Sequence, residues 1–263
     1  MAKHRHIWNQ SVYERFLHDG RGQGIGPEYK PWIYIQDFSS QGTVSRVKGR
    51  KTGRVHHLMS NNELAYFYIL DWSDSVLDIR EQYPLADINT AMNIAQQAEI
   101  RYPIDNISGF PYILTCDFMV TTDSGYKART VKLSTELSNK RVLEKLEIER
   151  RYWAMKAIDW RIITEKEICF RKAQNIEWLY SAQDFEITRT TPRTETEAIE
   201  LMYQMLRTHD YSVNEAAKTA EEDFLLAKGT GLFFFKYLVL KKRINIDLNG
   251  ILDLNAKKEL IML

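Results

Sequence analysis

The sequence predicts an α/β domain over residues 1–168 and a smaller, mainly helical domain over residues 169–263. Three observations indicate this fold class. Helix-like and strand-like segments alternate in the first part, two β-rich runs meet at a turn sequence, and the second part opens with helix-capping sequences. A polar, threonine-rich stretch around Pro192 is typical of a linker, and we expect the boundary between residues 169 and 193.

Local patterns place the elements of the first part. The sequence Ser60-Asn-Asn-Glu63 has the form of a capping box, which predicts that a helix begins there. Thr122-Asp-Ser-Gly125 is a turn signature and predicts a β-hairpin between its flanking strands. We expect helices at residues 6–17, 64–72, 89–99 and 136–156, and strands at 75–85, 112–120, 128–133 and 160–164.

The second part has a different order of elements. Capping boxes at Thr194 and Ser212 predict two helices. Residues 231–243 could form a third helix, or their run of three phenylalanines at 233–235 could be a strand. The dipeptide Asn249-Gly250 predicts a two-residue hairpin turn between strands 244–248 and 251–254. Three short helices followed by a hairpin is the order of a winged helix.

Composition excludes several classes of protein. Of the 263 residues 44% are hydrophobic, and the net charge of +1 argues against a histone-like tail or an acidic disordered chain. Two cysteines are too few for a disulfide framework or a cysteine-based zinc site. No apolar run approaches the roughly 18 residues of a membrane span. We therefore expect a cytoplasmic protein with no membrane partner.

The predicted hairpin brings an acid and a lysine together. If its turn centres at residues 124–125, Asp117 lies opposite Val131 and Lys132, and Thr130 shares a face with Lys132. Such a carboxylate can bind Mg²⁺ through oxygen, and the lysine can orient an attacking water and offset phosphate charge. The alternative is an ordinary cross-strand ion pair.

Two glutamates have both a structural and a functional interpretation. Glu63 completes the capping box, but it could also supply a second metal-binding carboxylate. Glu149 falls on the apolar stripe of its helix, at helical spacing from Leu146 and Trp153. A carboxylate in that position needs a partner or a metal, so either a buried ion pair or a catalytic role would explain it.

Basic side chains are concentrated in one segment that lacks acids. Residues 38–62 contain no Asp or Glu, and glycines break any regular element there, which indicates a flexible loop or a loose hairpin. Its cations could contact DNA phosphates, or the segment could be a solvated surface loop. The candidate DNA-binding residues are Arg46, Lys48, Arg50, Lys51, Arg54 and His56.

Several runs, taken in order, resemble the TnsA family of endonuclease subunits of heteromeric cut-and-paste transposases. They are KTGRVHHL at 51–58, ELA at 63–65, SVLDIREQYPL at 75–85, DF at 117–118, VK at 131–132, LEKLEIERRYW at 143–153 and NIEWLY at 175–180. The resemblance implies a restriction-endonuclease-like catalytic domain of the PD-(D/E)xK group. It also implies a C-terminal winged-helix domain that binds DNA or partner proteins.

The same resemblance implies an activity and its partners. We expect Mg²⁺-dependent hydrolysis of DNA at the 5′ ends of a transposon in a bacterial cytoplasm, with Mn²⁺ able to substitute. The partners would be a TnsB-like DDE transposase, which cuts and joins the 3′ ends, and a TnsC-like AAA+ ATPase, which contacts the C-terminal domain. The alternatives are a non-catalytic architectural subunit and a stand-alone restriction-type endonuclease.

Matching positions supply the implied catalytic residues. Glu63 and Asp117 match the metal-binding acids, Lys132 matches the catalytic lysine, and Glu149 matches an additional active-site glutamate. Thr130 departs from the pattern, because the nuclease group usually has Glu there and TnsA commonly has Gln. Its hydroxyl and the Val131 carbonyl would complete the metal site, which leaves one or two Mg²⁺ ions as the expectation.

Overall fold

A computed structural model describes residues 7–37, 43–185, 192–208, 210–257 and 261–262 of the chain. The chain divides into two compact units, Met1–Ile168 and Cys169–Leu263. Within the described ranges, none of the helices combines the length and the apolar character that a membrane span requires.

The first unit is built around a four-stranded mixed sheet. Strands β3, β4 and β5 are antiparallel neighbours in that order, and β6 adds to β5 in parallel. Strands β1 and β2 form a separate antiparallel hairpin. In chain order the elements are α1 (Gln10–His18), β1 (Ser45–Lys48), β2 (Val55–Leu58), α2 (Asn61–Trp72), β3 (Val76–Pro84), α3 (Ile88–Gln97), β4 (Thr115–Thr122), β5 (Gly125–Val131), α4 (Lys140–Met155) and β6 (Asp159–Ile163).

Helices α3 and α4 cover one face of this sheet and form its main core. Ile148 and Tyr152 of α4 pack with Met119 of β4 and Ala128 of β5, all of them almost fully buried. Burial of apolar surface contributes about 25 cal/mol per Å² to the free energy of folding, so such side chains supply the main stabilisation of the unit. The same packing holds α4 against the strands that carry the candidate site.

The β4–β5 hairpin forms as predicted, but its turn lies one residue earlier. Thr122 pairs with Gly125, so Asp123 and Ser124 form the turn, and the paired register ends at Phe118 opposite Arg129. Gly125 has φ +108°, a conformation that glycine adopts without steric cost, and this ends the turn at the first residue of β5. The predicted turn centre at residues 124–125 is therefore wrong by one position.

The long helix predicted for residues 136–156 is shorter at its start. A 3₁₀ turn occupies Ser134–Ser138, and α4 begins only at Lys140. The Asn139 side-chain oxygen accepts hydrogen bonds from the backbone N–H groups of Arg141 (2.8 Å) and Val142 (3.4 Å). Asn139 is thus the N-cap, which fixes where the helix begins.

The basic segment is a hairpin that a buried carboxylate fixes to β3. Arg54 donates to both carboxylate oxygens of Glu81, at 2.8 and 2.5 Å, and also to the Ile79 carbonyl. His56 Nδ1 lies 2.8 Å from Glu81, and the His57 N–H donates to the same carboxylate at 3.1 Å. Of the two forms predicted for this segment, the structure shows the hairpin.

Two of the predicted DNA-binding residues lie inside this cluster. His56 has no exposed surface, and its second ring nitrogen lies 2.7 Å from the Thr52 hydroxyl. The Arg54 side chain is 9% exposed, and its guanidinium group forms an ion pair with Glu81. The hydrogen-bonding groups of Arg54 and His56 are thus used within the fold, which makes these two residues weaker candidates for DNA contact than the exposed cations of the hairpin.

The tip of the hairpin is held from α2. Asp71, which is buried near the end of that helix, accepts hydrogen bonds from the backbone N–H groups of Arg50 (2.9 Å) and Lys51 (3.1 Å). The side chains of Arg46, Lys48 and Arg50 are exposed, and Lys51 is partly exposed. The backbone that carries these cations is therefore positioned by the protein itself.

The second unit consists of helices followed by a small sheet. In chain order it contains α5 (Phe170–Tyr180), α6 (Pro192–Arg207), α7 (Val213–Asp223), α8 (Thr230–Leu240), β7 (Ile244–Asn245) and β8 (Ile261–Met262). The Ser212 capping box forms as predicted at the start of α7. The third predicted helix is observed as α8, so the phenylalanine run is not a strand, and Phe234 and Phe235 are almost fully buried.

The predicted hairpin around Asn249-Gly250 does not form. Strand β7 pairs with β8 instead, and residues 246–257 contain neither helix nor strand. The Asn175 side-chain amide donates to the carbonyls of Leu248 (2.7 Å) and Gly250 (2.9 Å). The carbonyl of Leu254 accepts from the Asn214 N–H at 3.0 Å. Backbone carbonyls of the predicted hairpin thus accept hydrogen bonds from residues that are distant in the sequence.

Glu81→Gln should destabilise the protein strongly, because it leaves the Arg54 charge buried without its carboxylate. Removing one partner of such a pair costs about 3–5 kcal/mol. Burial opposes ionisation of Glu81, but the charges and hydrogen bonds of His56 and Arg54 lower its pKa to about 2. The carboxylate therefore stabilises the fold above the unfolded pKa of roughly 4.3, and this contribution is lost as the pH falls towards 2.

Urea unfolding at pH 7 and at pH 3 would measure both effects. The variant should show a lower unfolding free energy at pH 7, and this free energy should change less between pH 7 and pH 3 than that of the unaltered chain. Glu14→Gln, which changes an exposed acid of α1, is the control. Equal unfolding free energies for Glu81→Gln and this control would contradict the role of the cluster.

Candidate active site

The acid and the lysine predicted on the hairpin do meet. Asp117 Oδ2 accepts a hydrogen bond from the Val131 N–H at 2.6 Å and lies 3.4 Å from Lys132 Nζ. The same ammonium group donates to the Val131 carbonyl at 2.9 Å. Asp117 is 8% exposed, so this carboxylate is held by a backbone donor and a cation in a site with little water.

Glu63 reaches the same site from the first turn of α2. The Ser60 hydroxyl oxygen caps that helix by accepting from the Glu63 N–H at 3.1 Å. The Glu63 carboxylate accepts from the Met59 N–H and from the Ser60 hydroxyl, both at 3.0 Å. The residue therefore contributes to the helix cap and also presents a buried carboxylate beside Asp117.

Gln82 is a site residue that the sequence analysis does not predict. Its amide nitrogen lies 3.4 Å from Glu63 Oε2 and 3.5 Å from Asp117 Oδ1, so one side chain contacts both acids. The Gln82 side chain is 4% exposed, and its backbone has φ +49° within β3. The signal in the sequence was the pair Glu81-Gln82, two polar residues in the middle of a largely buried strand.

Glu149 forms a second group of contacts, around Thr130 of β5. The Thr130 hydroxyl donates to Glu149 Oε2 at 2.6 Å, and the Trp160 indole N–H lies 3.3 Å from the same oxygen. Trp160 also contacts the Thr130 hydroxyl at 3.2 Å. Trp160 was not predicted as a site residue, since an indole at the start of a strand carries no sequence signal of its own.

Burial and mutual repulsion shift the pKa values of these acids. Burial and the nearby Asp117 charge raise the pKa of Glu63 to about 8. Burial raises the pKa of Glu149 to about 7, against the stabilising hydrogen bond from Thr130. The charges of Asp117, Glu149 and Glu63 raise the pKa of Lys132, which therefore stays protonated at neutral pH. Three acids thus share one ammonium group, and the site has an excess of acidic groups.

A hard divalent cation fits this donor set. Carboxylate oxygens are the ligands that Mg²⁺ prefers, and added positive charge would offset the repulsion that raises the pKa of Glu63. Among the described residues no group of three His, Cys, Asp or Glu side chains converges on one point, so the carboxylates available for a shared ion are Glu63 and Asp117. Thr130 and the Val131 carbonyl, the other two predicted ligands, are engaged with Glu149 and Lys132, and their role at the metal stays a prediction.

A cleft of about 340 Å³ opens beside the site. Glu63 and Lys132 lie on its wall, together with Asn61, Asn62 and Glu136. The acids and the lysine are therefore buried on one side but accessible from the cleft, as a site that acts on a bulky substrate requires.

The α/β sheet thus carries two buried acids beside a lysine, a set of groups that suits an enzyme that cleaves phosphodiesters. The comparisons agree. A family model described as the TnsA-like endonuclease N terminal matches residues 73–165, and one described as the TnsA endonuclease C terminal matches residues 167–248. The transposition protein TnsA of transposon Tn7 from Escherichia coli is 44% identical over 191 residues, which cover 72% of this chain and 69% of that protein. The chain belongs to the TnsA family of endonucleases that act in transposition.

Glu149→Gln should stabilise the metal-free protein at alkaline pH. A carboxyl whose folded pKa is about 7 resists ionisation, so it makes folding less favourable as the pH rises from roughly 4.5 to 7. Glutamine keeps an oxygen acceptor for Thr130 and Trp160 and does not ionise. In a chelator-containing buffer, the variant should gain roughly 2–3 kcal/mol relative to the unaltered chain between pH 5 and pH 8.

Chemical denaturation at both pH values would measure this gain. Glu147→Gln on the same helix is the matched control, because hydrogen bonds from Arg150 and Arg151 lower the pKa of Glu147 to about 2. That control should gain nothing between pH 5 and pH 8. A Glu149→Gln curve parallel to that of the unaltered chain would contradict the raised pKa.

Proposed function

We propose that this chain is a Mg²⁺-dependent endonuclease that cleaves the 5′ ends of a transposon during cut-and-paste transposition. The observation that carries the proposal is the convergence of Glu63, Asp117 and Lys132 at one accessible cleft in a chain of the TnsA family. One or two ions would act there, and Mn²⁺ would substitute for Mg²⁺.

The residues of the site have distinct roles in this proposal. Glu63 and Asp117 would hold the cation, which supplies Lewis-acid activation of the phosphodiester and of the attacking water. The Val131 N–H fixes the orientation of the Asp117 carboxylate. Protonated Lys132 offsets the negative charge that develops on the phosphate oxygens. Glu149 orients the Thr130 hydroxyl at the end of β5.

The exposed cations of the β1–β2 hairpin would contact the DNA backbone. The stronger candidates for phosphate contacts are Arg46, Lys48, Arg50 and Lys51, because Arg54 and His56 are engaged within the fold. Such contacts position the duplex without reading its sequence. They would bring the scissile phosphate to the cleft, while the choice of transposon end depends on other parts of the assembly.

The proposal includes two partner proteins. A TnsB-like DDE transposase would process the 3′ ends, and a TnsC-like AAA+ ATPase would bind the second unit. In that unit α6, α7 and α8 are followed by the two-stranded β7–β8 sheet, an order that supports a winged-helix domain. The net charge of +1 gives the protein little nonspecific attraction to DNA, so partners would recruit it to its substrate in the bacterial cytoplasm.

Asp117→Asn should abolish cleavage without unfolding the protein. The substitution removes a charge on which cation binding depends, and loss of that catalysis costs several kcal/mol, or at least about 1000-fold in rate. Nicking at the 5′ ends of a transposon would be measured in a reaction with the purified transposase, the ATPase and Mg²⁺. Asp123→Asn, at the exposed turn of the same hairpin, should cleave at the normal rate.

Three other outcomes would change the proposal. Normal 5′ nicking by Asp117→Asn would contradict the assigned site. If neither the variant nor the unaltered chain nicks DNA while transposition still requires the protein, the chain is an architectural subunit. Efficient cleavage of plain DNA without partners would instead identify a stand-alone endonuclease.

Reversing two exposed hairpin charges should weaken DNA binding in a salt-dependent way. Lys48→Glu combined with Arg50→Glu removes two phosphate contacts, so the slope of log K against log salt should fall by about 2. Binding of a transposon-end duplex would be measured over a range of salt concentrations without divalent cations. Lys156→Glu, an exposed position at the end of α4, is the control, and an unchanged slope in the double variant would exclude the hairpin.

A further inference from the structure

Gln82 occupies a position between the two acids that the proposed function leaves unexplained. Its amide nitrogen lies 3.4 Å from Glu63 Oε2 and 3.5 Å from Asp117 Oδ1. A primary amide has two N–H donors, so this one group can donate to one oxygen of each acid. The remaining Asp117 oxygen is held by the Val131 N–H, and the remaining Glu63 oxygen by the Ser60 hydroxyl.

A neighbouring hydroxyl determines which end of the amide faces the acids. Thr115 Oγ donates to the Gln82 carbonyl oxygen at 3.2 Å. Because that contact uses the acceptor end, the donor end is directed at Glu63 and Asp117. Gln82 therefore acts on the carboxylates as a donor, and its own oxygen is turned away from them.

The backbone at Gln82 shows that this placement has a cost. Gln82 has φ +49°, while the residues on either side remain paired with β4, Glu81 with Phe118 and Tyr83 with Cys116. A left-handed conformation is unfavourable for a non-glycine residue and persists only where surrounding contacts impose it. Here the backbone N–H of Trp32 donates to the backbone carbonyl of Gln82 at 3.2 Å and so helps to hold this conformation.

We propose that Gln82 is a positioning residue that sets the affinity of the site for its divalent cation. By donating to one oxygen of each acid, the amide holds both carboxyl groups close together and in a fixed orientation before a cation arrives. Thr115 fixes the amide in that orientation. The inference rests on the proposed function, since it takes Glu63 and Asp117 as the residues that bind the cation.

Two substitutions test the inference by independent routes. Gln82→Met keeps the length of the side chain but removes both donors, and Thr115→Val keeps the shape of the threonine but frees the amide to rotate. Loss of such outer hydrogen bonds to metal ligands typically weakens metal affinity by 10–100-fold. We expect about that loss for Gln82→Met and a smaller loss, in the same direction, for Thr115→Val.

Calorimetric titration of Mn²⁺ into the full-length protein without DNA would give the affinities. Thermal unfolding in chelator would show that each variant is folded, and Thr121→Val, at the far end of β4, is the matched control for Thr115→Val. Nicking by Gln82→Met should recover at raised Mn²⁺ concentration, whereas nicking by Asp117→Asn should not. That recovery separates a positioning residue from one that merely supports the fold.

The outcomes distinguish this inference from the proposed function. If Asp117→Asn loses Mn²⁺ binding while Gln82→Met and Thr115→Val bind as tightly as the unaltered chain, the positioning role is overturned and the metal site stands. If Gln82→Met does not fold, unchanged affinity in Thr115→Val alone overturns the role. Absence of Mn²⁺ binding by the unaltered chain, or binding unaffected by Asp117→Asn, overturns the proposed function and this inference together.

Discussion

The repulsion between two buried carboxylates is the constraint around which the first unit is arranged. Glu63 and Asp117 lie on different elements, yet both are within reach of a single amide group. Burial, followed by the negative charge of the nearby Asp117, opposes ionisation of Glu63 and raises its pKa to about 8. A protein that keeps such a pair must supply donors for it from the surrounding structure.

Those donors come from several elements at once. The start of α2 supplies the Met59 N–H and the Ser60 hydroxyl, while the end of β5 supplies the Val131 N–H and Lys132. Each donor is placed by ordinary secondary structure, either a helix cap or the end of a strand. The orientation of the two acids and the fold therefore depend on the same hydrogen bonds, because those that orient the acids also fix where these elements begin and end.

Local sequence patterns were sufficient where structure depends on neighbouring residues. The α2 cap at Ser60 and the β4–β5 hairpin follow from short-range chemistry, and the hairpin alone brought Asp117 to Lys132. Glu149 was placed on the buried face of α4 by helical spacing, and the structure buries it there. The DNA-endonuclease activity followed from the ordered motifs of the family, which composition and spacing could not have supplied.

The errors arose where distant residues compete for the same groups. Arg54 and His56 looked like surface cations because their partner, Glu81, lies some 25 residues further along the chain. Asn249-Gly250 looked like a hairpin turn, but the amide of Asn175 takes the carbonyls on both sides of Asn249. Gln82 was missed for the same reason, as its contacts come from α2 and β4. A single sequence does not reveal which of its polar residues will meet across the fold.

The anchoring of the hairpin tip by Asp71 has a consequence for how DNA would be engaged. A free loop that carries Arg50 and Lys51 would have to give up backbone freedom on binding, which subtracts from the affinity that its charges provide. Here two hydrogen bonds to one carboxylate have already ordered that backbone during folding. The conformational entropy is lost once, when the protein folds, and association with DNA need only order side chains and displace counterions.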